Sequence, residues 1–337
     1  MLLLNYQITK WWLKFSCRFF CNYPSAFLLC FAAASISVTS YSHAASSVKP
    51  LRWTMINVNH APQQGDAHLI QTDTGQNILI DTGHYWAAEH LMLPYLQAKG
   101  IKVLDKVFIS HPHKDHYAGL TIMQKNGLRI KEVYFNLPDR EVCDAEIPWG
   151  CDYGELLRYR QLLLKNGVKI VVAKAGMVFK IGSQARLEIL YAYDGVNTPV
   201  GRTDINDMSL VMKLRNGTQS ALFTGDLNHK MGDYLAKEAK DLKADILKLP
   251  HHGTEGAPPD AFYEAVSPKI ALIPSPALLW CSVRSARMKK WFEERKIPTY
   301  VNGFSGHVLV EMHANTFKVV QQRLKSNVLF PQCPNIN

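Results

Sequence analysis

No apolar run in the 337-residue chain reaches the roughly 20 residues that a membrane-crossing helix needs. Cys-x-x-Cys spacing is missing, which excludes a thioredoxin-like redox motif and paired-cysteine zinc sites. The nucleophile elbow Gly-x-Ser-x-Gly, the phosphate loop and the dinucleotide fingerprint are also absent, which disfavours the hydrolase and cofactor chemistries they carry. No low-complexity linker divides the chain. With 47% apolar and 20% charged residues, disordered, collagen-like, coiled-coil and small disulfide-scaffold readings are excluded. What the chain does have is a net charge of +10 and 13 histidines, more than its size leads one to expect.

Residues 1–44 contain Lys10, Lys14 and Arg18 and no acidic residue. The apolar stretch 26–38 follows, and Ser42-His43-Ala44 offers a small-x-small site for cleavage before Ala45. This is the layout of a secretory signal peptide, with an uncleaved anchor as the alternative. The expectation is therefore a signal at 1–44 and one domain at 45–337, exported to a periplasmic or extracellular space. Its net charge falls to +7, because three basic residues leave with the signal. Cys143, Cys151, Cys281 and Cys333 remain, an even number that suggests disulfides in an exported protein. Cys143 and Cys151 enclose a short turn-rich loop and form the first expected pair; Cys281–Cys333 follows, with buried free thiols as the alternative.

From residue 51 onward, short β-rich runs alternate with amphipathic stretches. Strands are predicted at 53–58, 67–72, 77–81, 107–110, 130–136, 168–172, 187–191, 208–215, 219–224, 244–249 and 269–273, and near 298–320. Helices are predicted at 85–99, 153–166, 229–239, 259–266 and 282–296. Adjacent strands such as 208–215 and 219–224, joined by Asn216-Gly217, argue for mixed sheets covered by helices rather than a purely parallel sheet.

The strongest signal is His111-Pro-His113-Lys-Asp115-His116, directly after a predicted buried strand. Histidines two apart on extended backbone point the same way and can clamp one ion, while Asp115 and His116 at the turn into a helix can face a second. Asp81, Asp226 and the pair His251-His252 also stand at strand ends, where buried strands meet solvent.

These runs resemble the metallo-β-lactamase-fold hydrolases, and within them the hydrolase domain of ComEC-type DNA-uptake proteins. The marks are Gln64-Gly-Asp-Ala67, Ile80-Asp-Thr-Gly83, Asn206-Asp-Met-Ser-Leu-Val211, Phe223-Thr-Gly-Asp-Leu227 and Lys248-Leu-Pro-His-His-Gly-Thr254, across roughly 51–320. The resemblance implies an α/β (α+β) four-layer αββα sandwich of two mixed sheets with a two-metal site at its edge. It implies that His111 and His113 bind one metal ion, that Asp115 and His116 bind a second, and that Asp226 bridges them. His251 is expected to complete the second site, with His252 meeting substrate or donating a proton, Asp115 orienting the attacking hydroxide, and Asp81 supporting a ligand. The ions are expected to be Zn²⁺, with Mn²⁺ as the alternative. The family's transmembrane segments are absent, so a free-standing hydrolase is expected.

Two departures matter. No histidine lies between His116 and His229, so one customary ligand is missing, and Asp207 or Asn206 is offered in its place through oxygen. Pro274–Trp280 replaces a segment that plausibly touches substrate in ComEC-type domains. Of the other histidines, His84 and His307 are candidates for the site edge. Arg284, Arg287, Lys289 and Lys290, with Trp280 and Trp291, could guide a nucleic-acid strand, or simply form a solvated basic face. The leading expectation is a metal-dependent phosphodiesterase or nuclease, with nucleic acid or a phosphorylated surface component as substrate. Hydrolysis of a β-lactam, lactone or thioester is the alternative, and a non-catalytic binding module is the second.

Overall fold

Alternating strands and amphipathic helices need two sheets to bury both faces of each, and that is how the chain folds. A computed structural model describes residues 49–60, 63–146, 151–194, 198–201, 203–323 and 333. The expected signal at 1–44 lies outside the described residues. Fifteen strands are present among them. The first eight are β1 (Leu51–Met55), β2 (His68–Gln71), β3 (Asn77–Ile80), β4 (Val103–Phe108), β5 (Arg129–Tyr134), β6 (Lys169–Val171), β7 (Val178–Ile181) and β8 (Ala185–Tyr191). The others are β9 (Val211–Asn216), β10 (Gln219–Phe223), β11 (Ile246–Lys248), β12 (Ile270–Ile273), β13 (Thr299–Val301), β14 (Val308–Met312) and β15 (Phe317–Gln321).

One sheet runs β15-β14-β1-β2-β3-β4-β5-β6 and the other β13-β12-β11-β10-β9-β8-β7. Each is mixed. In the first, strands from β15 to β3 pair antiparallel and those from β3 to β6 parallel. In the second, β7 to β10 pair antiparallel and β10 to β13 parallel.

Side chains of period two divide the core into layers. Trp53 and Met55 of β1, Ile78 and Ile80 of β3, Met212 of β9, Phe223 of β10 and Leu272 of β12 fill the space between the sheets. Leu79 and Val107 face the other way, onto Met92, Leu96, Leu120, Met123, Leu156 and Leu163 of the helical segments 85–98, Gly119–Lys125 and Tyr153–Lys165. Leu222, Leu247 and Ala271 likewise meet Met231, Leu235, Phe262, Met288 and Phe292 from His229–Glu238, Asp260–Val266 and Ala286–Glu294. Two mixed sheets flanked by helices make the αββα sandwich that the sequence led us to expect.

The differences are local. The expected strand at 208–215 begins only at Val211, because the Asp204 side chain caps a 3₁₀ turn, Ile205–Met208, by accepting from Asp207 N. Strand β7, only four residues long and with alternating exposure, was not anticipated. Both cysteine pairs form disulfides, Cys143–Cys151 with Cα atoms 4.9 Å apart and Cys281–Cys333 with Cα atoms 5.5 Å apart.

Gly119 shows how tightly the site's helix is seated. A Cβ there would run into the Thr82 carbonyl oxygen and lie 2.7 Å from Ala88 Cβ. Thr82 in turn donates its hydroxyl to the His116 carbonyl at 2.8 Å. Gly119→Ala is expected to lower unfolding stability by about 1–3 kcal/mol through overpacking, read from urea denaturation; a neutral effect would show that this approach is not tight.

Candidate metal centre

Each site residue stands at the end of a strand or in the turn after it. After β4, extended backbone carries Ser110 and His111, and the short helix Lys114–Tyr117 starts after His113. After β3 comes Asp81, after β10 comes Asp226, and after β11 come His251 and His252. Leu210 N donates to Ser110 O at 2.9 Å, joining the two sheets at this edge. Five non-glycine residues among those described have positive φ, and three of them are Asp81 (59°), His251 (48°) and His252 (52°). Such left-handed backbone is costly away from glycine and concentrates at functional sites.

The centre is built around His116. Its Nδ1 lies 2.8 Å from Asp81 Oδ2, and Asp81 also accepts from Ser110 N (2.7 Å) and Ser110 Oγ (2.8 Å). That carboxylate turns His116 Nε2 toward Asp226 Oδ2, 3.2 Å away, and Asp115 Oδ2, 3.9 Å away. His252 is oriented in the same fashion: Nδ1 meets the Pro274 carbonyl at 2.8 Å, and Nε2 lies 3.0 Å from Asp226 Oδ2 and 3.4 Å from Asp115 Oδ2. Both Nε2 atoms are buried without a well-aligned hydrogen-bond partner. Two imidazole nitrogens and two carboxylates within reach of one point form a donor set that a divalent ion satisfies.

A second pair adjoins it. His111 Nε2 and His113 Nδ1 converge to 3.1 Å, while His111 Nδ1 lies 3.0 Å from Ser110 Oγ and 3.3 Å from Ser209 Oγ. Ser209 Oγ also accepts from Asp226 N at 2.8 Å, so one hydroxyl touches a residue of each group. The His111 and His116 ring centroids are 4.1 Å apart.

The geometry differs from two expectations. His252, not His251, joins the cluster, because the left-handed turn at Pro250–Gly253 sends the two rings apart. His251 instead lines the open pocket, with Nδ1 2.6 Å from Asn228 Oδ1. Asp207 does not face the His111–His113 pair: its Oδ1 accepts from Asn228 N at 2.8 Å and its Oδ2 from the Thr203 hydroxyl. Asn206, the other oxygen offered by the sequence, lines the pocket, and its Oδ1 is buried without a hydrogen-bond partner.

Sequence reasoning missed two buried charges. Asp66 and Lys248 are in contact, and Lys248 Nζ also reaches Gly225 O at 2.7 Å and Asp226 Oδ1 at 3.4 Å. Asp66, Asp81 and His116 form a second, fully buried cluster able to hold a metal, but there the Lys248 ammonium already supplies a cation to Asp66. A signal was present: Lys248 interrupts the otherwise apolar run Ile246–Leu249, and Asp66 follows a glycine in a quoted motif.

The electrostatics follow the geometry. Burial alone would depress His252, but the attraction of Asp226 and contacts with Asp115 and Asp226 raise it to about 10. His116 is likewise raised, against its burial, by Asp226, Asp81 and Asp115. Asp226 is held well below its usual range, against burial, by His252, His116 and Lys248. Burial depresses His251 to about 4 and raises Asp207 to about 6.

A pocket of about 460 Å³ opens above the cluster, lined by Gln63, Gln64, His84, His113, Lys114, Asp115, Asn206, Asp226, His251 and Arg284. His307 is elsewhere, accepting from Asn57 N at 2.9 Å and stacking near Tyr95. The basic–aromatic cluster does not form a stacking surface: Trp280 and Trp291 are core residues at 2% and 4% exposure, and Arg287 is taken up by Asp260 and two carbonyls.

The family model of the metallo-beta-lactamase superfamily matches residues 60–127. Among curated proteins, the chain is similar to ComE operon protein 3 of Bacillus subtilis, 27% identical over 220 residues, covering 63% of this chain and 26% of that protein. It is similar to Recombination protein 2 of Haemophilus influenzae, 29% identical over 216 residues, covering 63% and 23%. Competence protein ComA of Neisseria gonorrhoeae is 28% identical over 221 residues, covering 63% and 26%. The chain thus spans about a quarter of the length of these relatives. Among solved structures, a B3 metallo-beta-lactamase with an active-site glutamic acid aligns with TM-score 0.41 and 18% identity, over 72% of this chain and 90% of that one. Zn²⁺-bound PqqB from Methylobacterium extorquens aligns with TM-score 0.43 and 10% identity, over 70% and 84%. The chain carries a metallo-β-lactamase-fold domain. That domain is related to the competence proteins.

Elemental analysis after loading should find His252→Ala short of one metal equivalent and His251→Ala at the wild-type count; the opposite result would restore His251 as the ligand. Lys248→Met leaves Asp66 and Asp226 without their buried cation and is expected to cost about 3–5 kcal/mol in metal-free protein, measured by urea denaturation.

Proposed function

We propose that the chain is an exported binuclear metallohydrolase that cleaves phosphodiester bonds. The observation that carries the metal reading is the convergence of two buried, unpartnered imidazole nitrogens with Asp115 and Asp226 on the floor of an open pocket. In this reading His111 and His113, with Asn206 nearby, would hold one ion, and Asp115, His116, Asp226 and His252 would hold another. Zn²⁺ suits the imidazole-rich set, and Mn²⁺ is the alternative given the carboxylate and amide oxygens. Divalent ions bound there supply Lewis acidity and activate water near neutral pH.

The residues of the chain do the rest. Asp81, the Pro274 carbonyl and the Ser110 and Ser209 hydroxyls set which ring nitrogen each histidine presents. The Asp115 carboxylate, at the pocket floor, accepts a hydrogen bond from the attacking water and so orients it. Lys114 and Arg284 on the pocket lining favour an anionic substrate, although Glu155 and Glu255 share their charge. Phosphodiesters, in nucleic acid or a phosphorylated surface component, fit this polarity. Relatives named for competence and recombination support the nucleic-acid branch. Export is supported by the signal-like start of the sequence and by two disulfides. No helix among the described residues is long and apolar enough to cross a membrane.

The test compares bis(p-nitrophenyl) phosphate, single-stranded DNA and nitrocefin, before and after chelation. Cleavage of the first two is expected, abolished by chelation and reduced at least about 100-fold in His116→Ala and Asp226→Ala with folding retained. Hydrolysis of nitrocefin alone would reject the substrate class, and full activity in either variant would reject the site.

A further inference from the structure

Glu146 belongs to the loop closed by the Cys143–Cys151 disulfide, yet its carboxylate reaches the metal centre. Its Oε1 lies 3.2 Å from His113 Nε2, and its Oε2 accepts from Ile205 N at 3.2 Å. The carboxylate therefore joins the His-x-His run to the turn Ile205–Met208 that carries Asn206. Its side chain is 6% exposed, so this is a built contact rather than a surface pair. His113 makes its two contacts on opposite nitrogens: Nε2 toward Glu146, Nδ1 toward His111 Nε2. A carboxylate on Nε2 keeps the proton there and leaves the Nδ1 lone pair for a metal ion, the usual arrangement behind a metal-binding histidine.

What holds Glu146 in place is equally visible. Cys143 is buried in the outer core of the first sheet, and Cys151 packs against both that core and the small cluster of Tyr193, Ile205 and Met208. Glu146 N also donates to Cys143 O at 3.2 Å. The disulfide thus ties Cys143, three residues before Glu146, to Cys151, which packs on the turn Ile205–Met208 that the carboxylate also reaches.

Resting on the two-metal reading above, we propose that Glu146 is the positioning residue of the His111–His113 metal position, held there by the Cys143–Cys151 disulfide. It acts through His113 and touches no substrate.

The experiment titrates the full mature chain with Zn²⁺ against a chromophoric chelator, and with Co²⁺ while following its visible absorption. Wild type should bind two ions in separable steps. Glu146→Ala should weaken one step about 10–100-fold and change the corresponding Co²⁺ band, leaving the other step alone. His113→Ala should remove that same step, which identifies it. Cys143→Ser/Cys151→Ser should weaken the same step as Glu146→Ala. Glu146→Gln, which preserves size and one acceptor oxygen, guards against misfolding and should restore the Co²⁺ band while recovering only part of the affinity. Unchanged titrations in Glu146→Ala, or equal weakening of both steps, would overturn the proposal while leaving the two-metal reading intact. Wild-type protein that binds fewer than two ions, or a His113→Ala variant that loses no step, would overturn that reading, and the proposal with it.

Discussion

Four carboxylates press on one imidazole. Asp66, Asp81, Asp115 and Asp226 all lie within 4 Å of a ring nitrogen of His116, at 3.8, 2.8, 3.9 and 3.2 Å. Like charges about 4 Å apart repel by ~4 kcal/mol even at an effective dielectric constant of about 20, so this concentration cannot stand unless cations accompany it. Lys248, fully buried, supplies one fixed positive charge to Asp66 and Asp226. The remaining excess raises His116 and His252 in the metal-free chain and draws divalent cations to the same place. Protons and metal ions compete for one electrostatic deficit, and the surrounding structure keeps that deficit in being.

The fold supplies the rigidity. Strands β3, β10 and β11, and β4 at its C-terminal end, are buried on both faces, and each delivers its polar residue just where pairing stops and the inter-sheet layer ends. The first residues after a buried strand have little freedom, which suits donors that must be placed within tenths of an ångström. The left-handed backbone at Asp81, His251 and His252 is the cost of turning side chains back toward the seam.

Much of this was legible in the sequence, for identifiable reasons. Period-two alternation and turn residues gave the two mixed sheets, and His111, His113, Asp115, His116 and Asp226 stood out because their donors cluster after apolar runs. The choice between His251 and His252 was not legible, since it depends on positive φ at two non-glycine residues, which no side-chain pattern announces. Asp207 and Asn206 were both offered as oxygen donors, and which one faces the pocket depends on the turn: Asp207 accepts from Asn228 N, and Asn206 lines the pocket. Trp280 and Trp291 stand near basic residues in the sequence, which left a stacking surface and a solvated basic face both open, but the second sheet takes up their apolar area in its outer core. Asp66, just before β2 of the first sheet, and Lys248, on β11 of the second, are distant in sequence and become partners only when the two sheets face each other.

The disulfides sit one on each side of the seam. Cys143 packs in the outer layer of the first sheet and Cys333 in that of the second. The donors of the centre, by contrast, come from both: Asp115 and His116 follow β4, while Asp226 and His252 follow β10 and β11. An ion shared by these four side chains would tie together segments that follow strands of both sheets. Bound there, it would stabilise the fold by mass action, so that the concentration of metal in the surroundings would set part of the protein's stability.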